Sequence, residues 1–364
     1  MSNDPFAPTN LGCLELKNRF VRSATWDGMG FSDGSFSPAQ IKLYKKLSSG
    51  GCGLLTTGYI AVNPQGRRNL EQNLLGNHKQ QQSFSKVVEV AKAHDTRILA
   101  QLVHCGGLAQ TEVSKLPLVA PSAAVHPLFE EVPQALTKKE IETIINDFGE
   151  TAARAREAGC DGVQIHAAHG YLLSQFLSPF ANQRTDDYGG SPENRARIVI
   201  DCYKKIREYV GSDFTISIKI NGSDYLEDGL ECQESLSVAR ELAKLGLDGV
   251  EVSGGTQVSI PLTPVPQAIK AGENELPFAA EIFAFSEALE IPVAAVGGIR
   301  SLETIDNLLS RGVSLISLCR PLIHEPDLVK QWQAGREEPA TCTSCNRCFI
   351  PALKGKGIKC LQKK

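Results

Sequence analysis

Short apolar runs alternate with longer amphipathic stretches along almost the whole chain, which predicts β-strands that alternate with helices. Most of the short runs are continuously apolar, as expected for parallel strands that helices cover on the outside. The eight predicted strands occupy residues 20–24, 53–59, 97–103, 162–166, 215–220, 249–253, 292–296 and 315–318.

Helix-start signals lie between these runs. Ser37 precedes a proline, which is favoured at the first helical position, and Ser191 does the same before a second helix that runs to about residue 209. Thr137 and Glu140 fit a capping box ahead of a long amphipathic stretch that Gly159 ends. The remaining helices are predicted over residues 233–245, 277–289, 302–311 and 326–334.

Eight strands that alternate with helices predict an α/β protein, a closed (β/α)8 TIM barrel. A doubly wound open sheet is the alternative, but no glycine-rich dinucleotide turn follows the first strand. Residues 11–19 predict a short N-terminal hairpin ahead of the barrel. We expect one catalytic domain over residues 1–335 and a short cysteine-rich tail over residues 336–364.

Composition excludes several classes of protein. The 364 residues are 42% hydrophobic and 22% charged, and the net charge of -3 gives no argument for nucleic acid or an anionic membrane as partner. No apolar run approaches the roughly 18 residues that span a bilayer, and the N-terminus lacks a secretory pattern. We therefore expect a cytoplasmic protein that acts on a small-molecule substrate, with homo-oligomerisation left open.

The most informative motif follows the predicted fourth strand. His166 and His169 can donate hydrogen bonds to an oxygen that gains negative charge, and Tyr171 can supply a proton nearby. A single buried histidine is more often a satisfied core residue. Two histidines and a tyrosine at the C-terminal end of a barrel strand instead favour polarisation of a carbonyl and protonation of the adjacent carbon.

Two further features point to the same end of the barrel. Gly297 and Gly298 follow the seventh strand and Arg320 follows the eighth, where this fold usually holds phosphate. Lys219 ends the fifth strand inside an apolar run, and a buried lysine without a partner would be costly. Lys219 is therefore a candidate site residue rather than a surface charge.

The chain resembles the old yellow enzyme family of flavin oxidoreductases over about residues 10–335. The resemblance is carried by the segments 18–21, 61–67, 101–104, 166–195, 223–225 and 295–299. It implies FMN as cofactor and a plug formed by the hairpin under the barrel floor. The implied flavin contacts are Ala24, Thr25 and Gly58 at the ring, Gln101 at its pyrimidine end, Lys219 beside N1 and the C2 carbonyl, and Gly297, Gly298 and Arg320 at the phosphate.

Three positions depart from the family pattern. Lys219 stands where relatives usually carry arginine, so the cation is a point charge rather than a planar fork. Trp26 replaces a small residue near the reactive edge of the flavin, and we expect it to narrow the substrate space. Gly107 stands where an arginine is more usual, so one contact to flavin or substrate is missing.

The resemblance also implies a two-step reaction. NADH or NADPH passes hydride to flavin N5, and the flavin passes it to the activated C=C of an α,β-unsaturated carbonyl compound. His166 and His169 hold the carbonyl oxygen, and Tyr171 protonates the α-carbon. The alternative from another class is a flavin-free barrel, such as an isomerase, a lyase or a binding protein, which leaves the His-Tyr motif unexplained.

Four of the eleven cysteines cluster near the end of the chain in a C-x2-C-x2-C-x11-C pattern: Cys342, Cys345, Cys348 and Cys360. Four thiolates at short spacing suit an iron–sulfur cluster or a tetrahedral metal, and zinc fits less well because two C-x2-C units are not paired. Free thiols are the third interpretation.

The spacing resembles the 4Fe-4S site of the trimethylamine dehydrogenase and 2,4-dienoyl-CoA reductase branch. It implies the alternative function of an iron–sulfur flavoprotein that acts on an enoyl thioester or an amine. Such an enzyme would exchange electrons with a partner protein.

Overall fold

The barrel consists of eight parallel strands that close on themselves. A computed structural model describes residues 3–124, 127, 131–260 and 262–362. The strands are β1 Phe20–Arg22, β2 Leu54–Thr56, β3 Arg97–Val103, β4 Gly162–Ala167, β5 Thr215–Asn221, β6 Gly249–Ser253, β7 Val293–Val296 and β8 Leu315–Leu318. Each pairs with the next in parallel, and β8 pairs with β1, which confirms the predicted (β/α)8 TIM barrel.

Helices cover the outside of the barrel. They are α1 Pro38–Ser48, α2 His78–Lys92, α3 Lys138–Glu157, α4 Pro192–Val210, α5 Cys232–Lys244, α6 Ala279–Ala288, α7 Leu302–Ser310 and α8 Leu328–Gln333. Short helical turns at Pro64–Gly66, Gly106–Leu108, Thr111–Ser114, Leu172–Leu177, Arg320–His324 and Phe349–Ala352 lie in the loops and the tail. None of the described helices combines the length and apolar character that crossing a membrane requires.

The helix starts lie where the capping signals predict them. The Ser37 hydroxyl accepts from Gln40 N in a full capping box, and Thr137 and Glu140 form a second one. Ser191 caps α4 by accepting from Asn194 N. These caps satisfy amide groups that the first turn of a helix leaves without partners.

The predicted hairpin is present and closes the floor of the barrel. Strands Thr9–Leu11 and Leu14–Leu16 pair antiparallel. Leu11 and Leu16 pack against apolar residues at the lower ends of several barrel strands, namely Val21, Leu54, Leu99, Ala294 and Leu315. This plug confirms the expectation from the family resemblance and leaves the opposite end of the barrel as the open one.

The main differences from prediction are at strand ends. β1 ends at Arg22 and β2 at Thr56, two or three residues earlier than predicted, because the following residues leave the ladder and form the upper rim. A short strand, Ile60–Ala61, rejoins the upper end of β3. Two further two-residue strands, Val119–Ala120 and Gln134–Ala135, pair in the long loop after β3.

Candidate active site

A cavity opens at the C-terminal ends of the barrel strands, where the sequence places the candidate chemistry. Eleven of the predicted site residues line it: Ala24, Thr25, Trp26, Gln101, His166, His169, Tyr171, Lys219, Gly297, Gly298 and Arg320. Gly58 does not line the cavity. Gly58 instead packs closely against the backbone of Thr25. A Cβ added at Gly58 would lie 2.9 Å from the Thr25 carbonyl oxygen.

The two histidines and Tyr171 form one wall of this cavity. The rings of His166 and Tyr171 lie edge to face with centroids 4.9 Å apart, and those of His166 and His169 lie 5.3 Å apart at an interplanar angle of 86°. His166 is on β4, and His169 follows in the left-handed region at φ +64°. That conformation strains a non-glycine residue and turns the chain so that both imidazoles lie on the same wall.

Hydrogen bonds indicate the tautomers of the two imidazoles. His166 Nδ1 accepts from Ala168 N at 3.3 Å, which leaves the ring proton on Nε2. His169 Nε2 lies 2.8 Å from the Ser253 hydroxyl, and when that hydroxyl is the donor the ring proton lies on Nδ1. Burial and the nearby Lys219 charge hold the pKa of both histidines well below the ordinary value. Both rings are therefore neutral hydrogen-bond donors near neutral pH.

Tyr171 has two polar neighbours that the sequence did not reveal. The Tyr59 and Tyr171 rings are 5.5 Å apart, and Arg68 lies close enough for its charge to act on the Tyr171 hydroxyl. Burial raises the pKa of Tyr171, and the positive charge of Arg68 opposes that shift. Arg68 is itself fixed by Gln257 Oε1 at 3.0 Å. The phenol is thus protonated at rest and stands beside a cation that stabilises it after the proton leaves.

The floor of the cavity carries a buried ion pair. Lys219 Nζ on β5 lies 2.8 Å from Glu251 Oε1 on β6, and both side chains are at most 6% exposed. Glu251 also accepts from the hydroxyls of Ser23 at 2.7 Å and Ser317 at 3.0 Å. The Lys219 charge and these three hydrogen bonds lower the pKa of Glu251 despite its complete burial, so the pair is ionised.

A pair of side-chain amides lies on β3 and β4, at residues that are direct neighbours in the register of these two strands. Gln101 Nε2 donates to Gln164 Oε1 at 2.8 Å, which orients the Gln101 side chain at the cavity wall. Its backbone N–H donates to the Thr57 hydroxyl at 3.1 Å. A fixed primary amide has donor and acceptor groups that can pair with a heterocycle carrying amide-like edges.

The other end of the cavity has the features of an anion cradle. Gly297 and Gly298 have φ of +120° and +75°, a region that side chains rarely enter. A Cβ at Gly298 would lie 3.0 Å from Leu276 N. Arg320 is buried, and among the described residues only its Nη1 is engaged, by Pro266 O at 2.6 Å and Asn346 Oδ1 at 2.7 Å. The rest of its guanidinium is free to bind a phosphate.

These features together fit FMN. The cavity joins a glycine turn and an arginine at one end to a fixed amide and a lysine on its floor, which match a phosphate and a heterocyclic ring. The Trp26 indole N–H, at the cavity wall, is buried without a hydrogen-bond partner among the described residues. When bound, FMN would be held by Gln101 and Lys219 at the ring and by Gly297, Gly298 and Arg320 at the phosphate.

The C-terminal tail packs over the rim after β1. Phe349 lines the cavity, and Cys348, Ala352 and Ile358 form a small apolar cluster with Trp26 and its neighbours. Ile358 N donates to Asp27 O at 2.7 Å, which fixes the tail to the barrel. Trp26 and Phe349 both line the cavity, and the narrowing of the substrate space by Trp26 stays a prediction.

The four tail cysteines do not form a metal site in this structure. Within the described part of the chain, which includes all four, no group of three or more His, Cys, Asp and Glu side chains is arranged to hold a metal ion. Cys345 is exposed, Cys348 is buried, and Cys360 Sγ lies 3.1 Å from His324 Nδ1. Metal binding by Cys342, Cys345, Cys348 and Cys360 therefore stays a prediction from spacing, and we assign no reaction step to it.

Several site residues were not predicted. Tyr59 and Ser253 contact the His-Tyr wall, and Glu251 contacts Lys219 from below. Ser253 and Glu251 alternate with buried apolar residues along β6, so a polar residue inside a continuous strand was the only available signal. Tyr59 gave no signal, because an aromatic residue at a strand end is ordinarily core.

The chain matches the family model described as NADH:flavin oxidoreductase / NADH oxidase over residues 4–339. It is 33% identical to the NADH oxidase of Thermoanaerobacter brockii, covering 94% of this chain and 52% of that protein. It is 31% identical to the NADPH dehydrogenase of Bacillus subtilis (strain 168), covering 90% and 93%.

A solved 2-naphthoyl-CoA reductase in complex with 2-naphthoyl-CoA aligns with a TM-score of 0.91 at 24% identity, covering 99% of this chain and 57% of that one. The chain thus spans about half the length of two of these proteins and most of the third. At that identity the structural match supports the fold alone.

Proposed function

The chain belongs to the NADH:flavin oxidoreductase / NADH oxidase family, and on this basis we propose which residues of the cavity bind cofactor and substrate and transfer the proton. The protein is an enzyme that uses FMN with NADH or NADPH, as the old yellow enzyme resemblance implied. The reaction is reduction of the activated C=C of an α,β-unsaturated carbonyl compound. The roles of the individual residues are our proposal.

The observation that carries the proposal is the arrangement of His166, His169 and Tyr171 above the floor that Lys219 forms. Two neutral imidazole donors share a wall with a protonated phenol. Neutral donors suit a carbonyl oxygen, because they stabilise developing negative charge without holding a full positive charge in a buried site. A flavin-free barrel would have no use for the amide, lysine and arginine arranged around the same space.

Bound FMN would supply hydride to the β-carbon of the substrate after accepting it from the nicotinamide. His166 Nε2 and His169 Nδ1 would donate to the carbonyl oxygen and so polarise the conjugated C=C. Tyr171 would give its proton to the α-carbon, and Arg68 would stabilise the phenolate that remains. Trp26 and Phe349 would exclude water and limit the size of the substrate.

The test begins with the spectrum of the freshly purified protein. We expect flavin absorbance and one FMN released per chain on denaturation. Anaerobic titration with NADH and NADPH should bleach that absorbance, and a small cyclic enone should restore it. A colourless protein, or a flavin that no nicotinamide reduces, would contradict the proposal. A panel of enones and enoyl thioesters then ranks the substrates.

A second candidate is an iron–sulfur flavoprotein that acts on an enoyl thioester or an amine and exchanges electrons with a partner protein. The four-cysteine spacing favours it, as does the position of Phe349, next to Cys348, in the cavity wall. The present arrangement of the cysteines does not favour it. Iron and sulfide analysis separates the two: with a cluster, Cys345→Ala should remove its absorbance and spare that of the flavin.

A cytoplasmic location, a homo-oligomer and an electron-transfer partner remain predictions from the sequence. Reduction of the flavin by NADPH alone, at a rate that matches steady-state turnover, would show that turnover needs no electron-transfer partner.

A further inference from the structure

Glu251 has no role in the reaction proposed above, yet it is among the most constrained polar residues of the barrel. Its carboxylate is 2% exposed and receives hydrogen bonds from three other strands or strand ends. Oε1 accepts from Ser23 and Lys219, and Oε2 accepts from Ser317. The Glu251 carboxylate is therefore held by donors on β5, on β8 and directly after β1.

The carboxylate lies below the cavity rather than in its wall. Lys219, Ser23 and Ser317 line the upper cavity, whereas Glu251 lines a small apolar void above the hairpin plug. Lys219 thus separates Glu251 from any molecule bound above. Glu251 can act on such a molecule only through Lys219, by fixing its position and by opposing its charge.

The ion pair changes what the cavity floor offers to a bound ring. Lys219 Nζ uses one N–H on Glu251 and a second, at 3.3 Å, on Ser23, which leaves the third for the cavity. In a buried site, an ammonium group without a carboxylate partner would strongly stabilise negative charge on a ring bound above it. A carboxylate 2.8 Å away cancels part of that field. Stability alone is a weak reason for such a pair, because well-packed apolar residues often serve as well.

We propose that Glu251 is a positioning residue that holds Lys219 at the cavity floor and partly neutralises it, thereby lowering the tendency of bound FMN to accept electrons. This inference rests on the proposed FMN site. Reduction adds negative charge to the ring, and Lys219 stabilises that charge less when Glu251 is ionised beneath it. Glu251 thereby favours onward transfer of the hydride to substrate.

The test measures the ratio of reduced to oxidised flavin in the FMN-loaded full chain at a fixed solution potential, which a reference dye reports. Glu251→Gln keeps the size of the side chain and removes its charge. We expect this variant to raise the ratio by at least about tenfold, equivalent to about 30 mV for a two-electron couple. The matched control is Glu234→Gln, which breaks a 2.6 Å ion pair with Arg195 in the outer helical layer and should leave the ratio unchanged.

Glu251→Asp keeps the charge but moves it away from Lys219, because the side chain is one methylene shorter. We expect a smaller rise in the ratio of reduced to oxidised flavin, of about threefold. This variant decides the question if Glu251→Gln does not yield folded protein. Ratios equal to the control in the available variants, with FMN bound, would overturn the role of Glu251 and leave the proposed function intact. Absence of FMN from the wild-type protein would overturn the proposed function itself.

Discussion

The imidazole of His166 and the phenol of Tyr171 lie edge to face, with ring centroids 4.9 Å apart and an interplanar angle of 79°. The chain brings them together in five residues by ending β4 and passing through the left-handed conformation of His169. A hydrogen-bond donor for a carbonyl oxygen and a proton donor for the neighbouring carbon thus share one wall. Both groups act in the proposed reaction of the reduced enzyme with the enone, and neither acts in its reduction by NADPH, so the kinetics of the two steps can test their roles.

Tyr171→Phe removes the proton donor and keeps the ring. We expect reoxidation of the reduced enzyme by an enone to slow by about 100- to 10,000-fold, the usual contribution of one such group, with reduction by NADPH nearly unchanged. Stopped-flow absorbance measures both steps. Tyr209→Phe is the control, because its exposed hydroxyl bonds Asn146 on the outer helices. If both steps fell together in Tyr171→Phe, its assigned role would be wrong.

Ser253→Ala removes the hydroxyl that orients His169. One neutral hydrogen bond is worth about 1 kcal/mol, so we expect about a fivefold loss in the rate of enone-dependent reoxidation at low substrate concentration. Flavin content should not change. Ser310→Ala, which removes an exposed hydroxyl bonded to Asn307 O, is the matched control. A wild-type rate in Ser253→Ala would show that His169 is oriented by other contacts.

Gly298→Ala tests the anion cradle. Alanine at φ +75° is strained by about 1 kcal/mol, and its Cβ would crowd Leu276 N in the cradle. Gly190→Ala carries a similar strain at φ +78° with nothing within 4 Å, so it matches the backbone cost without the crowding. We expect Gly298→Ala to lose more stability than Gly190→Ala because of this crowding, and only Gly298→Ala to lose FMN affinity. Equal FMN affinity in the two would place the phosphate elsewhere.

Stability should decline in acid because buried histidines resist protonation. Burial lowers the pKa of His104 to about 3, and the unfolded chain protonates near 6.5. The unfolded state therefore binds more protons below pH 6.5, and the free energy of unfolding falls as the pH drops below that value. From His104 alone we expect a loss of about 2 kcal/mol at pH 5 relative to pH 7.5.

Denaturant titrations at those two pH values measure this loss. His104→Gln should reduce the difference between them, whereas His78→Gln, at an exposed helix start, should not. An acid-insensitive wild-type protein would contradict the assignment of neutral buried imidazoles. His166 and His169 would add to the same trend, since their pKa values are also lowered.

The fold was predictable because its signals are local. Each barrel strand is a buried apolar run, and the cap residues Ser37, Thr137 and Ser191 set the helix starts. Strand ends were less predictable, since the chain leaves the ladder at Arg22 and Thr56 only because the following residues build the rim. No local pattern encodes that departure.

The site was predictable where residue type and strand position coincide, as for His166, Lys219 and Arg320. Glu251 and Ser253 could not be assigned, because their importance depends on a partner from another strand. The pairing of Glu251 with Lys219 follows from the register of β5 and β6, in which the two residues are direct neighbours. Register is a tertiary property that one sequence does not display.

The central claim is that a substrate carbonyl binds to His166 and His169 above the flavin. The most direct measurement is the anaerobic reoxidation of NADPH-reduced enzyme by 2-cyclohexenone, compared between the wild-type protein and His166→Ala/His169→Ala. We predict rapid reoxidation of the wild-type protein and a loss of at least about 100-fold in the double variant, with reduction by NADPH retained in both. Equal reoxidation rates in the two proteins would contradict the claim.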